Sequence, residues 1–216
     1  MEKILLLYRD DGYFNAEVTY EIEPAKANRA IVTFTIDENN KLYIRKITFS
    51  GNQEFSDKKL KKEIKTSEKG VFFWLTESGI LVRQNLQVDV DVLAAFYHNQ
   101  GFMDARIGSP VITHDEEGIY IDIPIIEGQR FRVGKVQVSG EDVEPDESLL
   151  SSIKLGEEKY FNREVLAKDL ETVADFYTGQ GYAFAEVVPQ IKKDDETQVV
   201  DIAYEVHKGE LVDFGR

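Results

Sequence analysis

The side chains that most often carry chemistry are scarce or scattered in this sequence. The chain of 216 residues has no cysteine, which excludes thiolate catalysis and disulfides. His98, His114 and His207 stand at no metal-ligand spacing. Acidic runs at 115–117 and 194–196 read as solvated turns, without the ligand spacing of a calcium loop. With no Ser-His-Asp arrangement and no glycine-rich phosphate loop, the expectation is a non-enzymatic chain without metal or cofactor. The chemistry that remains is that of the backbone. A strand edge carries unpaired N–H and C=O groups, and these can receive a strand from another chain.

The elements that would present such an edge are organised by a stretch that occurs three times. Tyr97, Gly101, Phe102, Ala105 and Ile107 have counterparts in Tyr8, Gly12, Tyr13, Ala16 and Val18, and again in Tyr177, Gly181, Tyr182, Ala185 and Val187. Gly12, Gly101 and Gly181 stand 89 and 80 residues apart, the period of a small domain rather than of a solenoid repeat. Before Gly101, Leu86, Val90, Leu93 and Tyr97 share one face of a helix. Leu166, Leu170, Val173 and Tyr177 repeat that spacing before Gly181. Gly101 and Gly181 fit the left-handed position just past a helix end, with Phe102 and Tyr182 folding back on the last turn.

Hairpins follow each helix. The first has Val18, Tyr20 and Ile22 opposite Val32, Phe34 and Ile36, with its turn at 24–29. The second joins a strand at 103–113 to one at 119–126, turning at 115–118, and Pro124 must break the pairing or make it one-sided. The third joins 183–192 to 198–207, with Val200, Ile202, Tyr204 and Val206 facing in. Between hairpin and long helix lie a strand and a short helix. In one copy Ile44, Ile47 and Phe49 lead to Gly51, and Ser56 is expected to cap a helix carrying Leu60 and Ile64. In the next copy Val133, Val136 and Val138 lead to Gly140, with Asp146 as the cap. The first inter-helix loop is longer and contains Val71, Phe72, Phe73, Trp74 and Leu75. This cluster is expected to pack under the loop, any exposed part serving as a docking patch.

A net charge of −14 argues against nucleic acid and against a basic patch on an anionic lipid surface. The apolar run at residues 4–7 is too short for a signal peptide, and no stretch has the length of a membrane helix. The abrupt opening at helical spacing, with an opening strand at 211–216, leads to the expectation of a tandem array cut at both ends.

Each complete copy reads strand, helix, helix, strand, strand. That gives an α+β fold of tandem two-layer β-α-α-β-β units, each with a three-stranded mixed sheet on two helices. The order of elements, the Tyr-x-x-x-Gly-aromatic-x-x-Ala helix end, the close at Glu127-Gly128 and the run from Phe131 to Gly140 resemble POTRA domains. These are the polypeptide-transport-associated modules of outer-membrane assembly proteins. On that resemblance the boundaries fall at 1–40 for the end of one domain, 41–129 and 130–210 for two complete ones, and 211–216 for the start of another. The complete pair is similar to the third and fourth domains of a five-domain array. Gly12, Gly51, Gly101, Gly128, Gly140 and Gly181 are the structural marks of the module.

The resemblance implies a periplasmic scaffold on the inner side of the bacterial outer membrane, touching the membrane only through a C-terminal barrel absent from this chain. Its implied partners are nascent outer-membrane β-barrel proteins, accessory lipoproteins of the assembly complex and periplasmic chaperones. It also makes the second strand an edge, so 103–113 and 183–192 are the candidates for receiving a client strand. Ala105, Ile107, Val111 and Ile112 are the favoured client residues, although alternation equally lets Ala105 and Ile107 face the core. Pro110 and Ile112 are the expected lipoprotein contact. The alternative is the POTRA region of another outer-membrane translocator, of the two-partner secretion or autotransporter-assembly kind. A divisome-type protein is disfavoured, because the module is repeated.

Overall fold

A computed structural model of the chain describes residues 1–25, 29–76, 78–141 and 143–212. The elements run α1 (Glu2–Asp10), β1 (Glu17–Ala25), β2 (Arg29–Asp37), β3 (Ile44–Ser50), α2 (Asp57–Glu63), α3 (Phe73–Thr76) and α4 (Arg83–Asn99). They continue with β4 (Arg106–Ile107), β5 (Val111–His114), β6 (Ile119–Ile126), β7 (Arg132–Gly140), α5 (Glu147–Ser152), α6 (Arg163–Gly179), β8 (Glu186–Asp194) and β9 (Val199–His207). Of the strand expected at 211–216, residues 213–216 lie outside the described residues, and Leu211 and Val212 belong to no strand. The chain forms two compact units, one of Met1–Leu93 with Ile107–Ile126, the other of Ala94–Arg106 with Glu127–Arg216.

In the first unit β6 is the central strand. Alternation puts Ile119, Ile121, Ile123 and Ile125 on one buried face, as the sequence pattern requires. β3 lies parallel to β6 on one side, pairing Ile47 with Ile121 and Phe49 with Ile123. β4 and β5 share its other side, β5 antiparallel with Ile112 opposite Ile121. Gly51 ends β3 so close to β6 that any side chain there would be driven into the Ile125 carbonyl oxygen. The β1–β2 hairpin is regular, pairing Tyr20 with Phe34 and Ile22 with Val32, and these four side chains are exposed.

The second unit repeats the plan, with β9 central, β7 parallel and β8 antiparallel to it. Val200, Ile202, Tyr204 and Val206 form the buried face, packed with Leu149, Leu166, Val173 and Tyr177 from the helices. Both sheets are thus three positions wide and mixed, and the fold is the expected two-layer α+β.

Three local expectations change. Ser56 stands at the N-cap of α2, but its hydroxyl makes no capping bond. Asn52 closes that turn instead, its amide donating to the Phe55 carbonyl and the Asp57 carboxylate. Asp146 does cap α5, accepting from the Leu149 N–H at 2.8 Å. The second strand of the first unit is not continuous over 103–113, because β4 and β5 are separated at Gly108–Pro110. The aromatic loop is not buried: only Phe73 turns inward, its ring 5.2 Å from Tyr43.

Candidate functional site: strand edges and a basic cleft

The two second strands lie at sheet edges, each with one partner strand among the described residues. Their chemistry differs. β8 is nine residues long but exposes Lys192 and Lys193 and contains Pro189, the devices that discourage uncontrolled strand pairing. β5 is four residues long and contains no Lys, Arg, Asp or Glu.

The break before β5 has a physical cause on the neighbouring strand. The Pro124 carbonyl accepts from the Gly108 N–H at 2.7 Å, so Pro124 turns its backbone toward the second strand. A proline has no N–H to return there, and the ladder opens at Gly108 before β5 resumes at Val111.

The favoured client residues divide accordingly. Ala105 is buried and lies in a turn, its N–H donating to the Phe102 carbonyl and its carbonyl held 3.3 Å from His98 Nε2. Both of its backbone groups thus have neighbours within the module. Ile107 ends β4 and is half-buried. Val111 is 56% exposed at the start of β5. Ile112 points to a cleft of about 380 Å³ that it lines with Pro110, Phe14, His114, Arg9 and Arg83. The structure therefore brings Pro110 and Ile112 together in one cleft. The Phe14 and His114 rings, 5.1 Å apart, form one wall.

The remaining histidines serve other neighbours: His98 Nδ1 lies 3.4 Å from Arg163, and His207 is 4.0 Å from Glu205. Among the described residues no three His, Cys, Asp or Glu side chains are placed to hold a metal ion. No described helix is long and apolar enough to cross a membrane.

Two residues that matter were invisible to the periodicity argument. Asp89 and Asp169 are buried in the apolar faces of α4 and α6. Asp89 accepts the Lys65 and Thr66 N–H groups, at 2.7 and 2.9 Å, where the chain leaves α2. Asp169 accepts the Lys154 and Leu155 N–H groups at 2.9 and 2.8 Å, and the Tyr204 hydroxyl at 2.9 Å. Burial, then the hydrogen bond to Asp169, pushes the Tyr204 phenol above its ordinary range. Burial and Glu127 do the same to Tyr97, whose hydroxyl donates to Glu127 at 2.9 Å. The signal available in the sequence was an Asp 12 residues before the closing glycine of both long helices, Asp89 before Gly101 and Asp169 before Gly181.

Repeated two-layer α+β modules, each with its second strand at a sheet edge, define the class of fold. The POTRA family model, described as surface antigen variable number repeat, matches residues 1–39, 42–128 and 131–209. This chain belongs to the POTRA family, whose modules are scaffolds rather than enzymes. It is 34% identical over its whole length to the outer membrane protein assembly factor BamA of Nitratidesulfovibrio vulgaris, and spans 28% of that protein. It is 31% identical over 95% of its length to BamA of Neisseria meningitidis serogroup B, covering 26% of it. The chain thus spans about a quarter of the length of the curated relatives it matches. The crystal structure of Haemophilus influenzae BamA POTRA3-5 superposes with a TM-score of 0.62 at 20% identity, over 79% of this chain and 67% of that one. At that identity the likeness is one of fold.

Proposed function

We propose that this chain is part of the periplasmic scaffold of an outer-membrane β-barrel assembly machine, with copies at 1–40, 41–129, 130–210 and 211–216. Relatives named as assembly factors support that role and the periplasmic side of the outer membrane as its place. In this role the scaffold receives nascent outer-membrane β-barrel proteins, delivered by periplasmic chaperones, as strands added to its sheet edges. The carrying observation is the β5 edge, which contains no Lys, Arg, Asp or Glu, with Val111 exposed and Ile112 opening into the cleft. Main-chain bonds accept clients of many sequences, whereas the cleft, with Ile112, Pro110 and Phe14 in its lining, adds a preference for an aliphatic residue. Pro110 and Ile112, inside that cleft, make it the docking point for an accessory lipoprotein.

Successive residues of a strand point their backbone groups alternately toward the partner strand and away from it. Proline placed in turn at Val111 and at Ile112 therefore removes one outward donor in one of the two variants. Titration with an outer-membrane strand peptide, followed by amide chemical shifts, is expected to perturb β5 and to weaken about tenfold in that variant. Equal binding by both variants, with shifts mapping away from β5 and β8, would remove edge addition from this chain.

A further inference from the structure

We infer that the loop between α2 and α4 docks onto a phospholipid surface of net negative charge. The loop ends in the single turn of α3, and Val71, Phe72, Trp74 and Leu75 are between 62% and 81% exposed. It is a built feature. Phe73 is rooted against Tyr43, and the Lys69 ammonium lies 4.0 Å and 4.1 Å from the centres of those two rings. Gly70 N–H donates to Ser78 Oγ at 3.1 Å, which closes the base of the turn.

The fold itself has no need of this tip. In the following copy a short turn through the buried Leu155 and Phe161 joins the corresponding helices, and the core closes without an aromatic projection. An apolar cluster held outward, where the sister copy omits it, calls for an occupant. The four exposed side chains offer roughly 500 Å², short of the ~800 Å² that each partner of a stable protein interface contributes. Aromatic and aliphatic tips of this size instead suit the headgroup boundary of a bilayer, where Trp is favoured.

The charge around the tip agrees. Lys59 and Lys61 on α2 are paired with Glu63 and Glu68, and two other lysines stand at the loop itself, a local exception to the net charge of −14 that argued against anionic lipid. Lys65 lines the same cleft as Thr76 at the end of α3, and Lys69 sits at the base of the turn. The acidic remainder of the surface is repelled by anionic lipid, so contact is confined to this loop.

Trp74 is the sole tryptophan and reports on the contact without labelling. Addition of phosphatidylglycerol vesicles to the purified chain is expected to shift its emission to the blue, with quenching by lipids brominated near the headgroup. Leu75→Ser and Phe72→Ser should each weaken partitioning about tenfold, since both side chains enter the interface. Lys65→Gln should weaken it about fivefold. Circular dichroism checks that these exposed substitutions leave the fold intact. The proposal is overturned by an unchanged spectrum at millimolar lipid, by equal binding to phosphatidylcholine vesicles, or by a blue shift that grows with protein concentration in the absence of lipid.

Discussion

Asp169 places a carboxylate in the apolar face of α6, where spacing alone expects an aliphatic residue. It satisfies two N–H groups as the chain leaves α5, which no helix or strand could otherwise pair. Asp169→Ala is expected to cost about 3 kcal/mol in chemical denaturation, and Asp89→Ala, with one bond fewer, about 2 kcal/mol. Equal, near-zero costs would mean that water replaces the carboxylates. Tyr204 supplies the third bond, and Ile123 fills the corresponding place in the first unit, so Tyr204→Phe should cost only about 1 kcal/mol. It should also change the response to alkali. The Tyr204 phenol keeps its proton in the folded state above pH 10, where the unfolded chain loses it. Its contribution is whole below pH 10 and declines as pH rises further, so the melting temperature should fall above pH 10 and Tyr204→Phe should flatten that fall. An identical alkaline decline in both proteins would assign it elsewhere. These residues escaped the sequence reading because apolar periodicity averages over a stripe and treats one Asp within it as noise.

Strands and helices were largely legible, since the alternation in β6 and β9 and the stripes on α4 and α6 have one physical interpretation. The exceptions lie where two elements decide together. Pro124 indicated a defect in the hairpin, but the sequence did not say that the opposite strand would open at Gly108 to accommodate it. The five apolar residues at 71–75 have no period that separates inside from outside, and four of them project outward. The Pro124–Gly108 pairing is testable by a double-mutant cycle. A methyl group on Gly108 would stand 2.7 Å from the Pro124 ring, so Gly108→Ala should cost about 1–2 kcal/mol. In a Pro124→Ala background the ring is gone and the same change should cost well under 1 kcal/mol. Additive costs would show that the break in the second strand has another origin.

At the scale of the whole chain, one bond recurs at the joints between copies. The carbonyl of the glycine that follows α1, α4 and α6 accepts an N–H from the opening of the next copy: Gly12 from Leu42, Gly101 from Phe131 and Gly181 from Val212, each at 2.9 Å. Repeat spacing revealed the copies but not this joint, because its partners lie about thirty residues apart and follow no local pattern. Gly101 needs its positive φ of 93° to present that carbonyl, and a methyl there would press on the Phe131 oxygen and Tyr160 at 3.0 Å. Around it, Arg130 donates to the Gln100 carbonyl at 2.7 Å and stacks 3.6 Å over the Tyr160 ring. Asn99 accepts the Glu164 N–H opening α6, and Lys193 pairs with Asp104 at 2.5 Å. Through these contacts the residues that close α4 belong to the second unit, while most of the helix belongs to the first. A helix shared in this way couples the folding of the copies it joins. Calorimetry of the unaltered chain should therefore show residues 42–128 and 131–209 melting in one transition. Arg130→Ala removes both the stacking and the bond to Gln100, at a cost of about 1–2 kcal/mol to the joint. It is expected to split the endotherm in two while leaving strand content below the first transition unchanged. A single transition that merely moves to lower temperature would instead make Arg130 an ordinary stabilising residue and place the coupling in the shared helix alone.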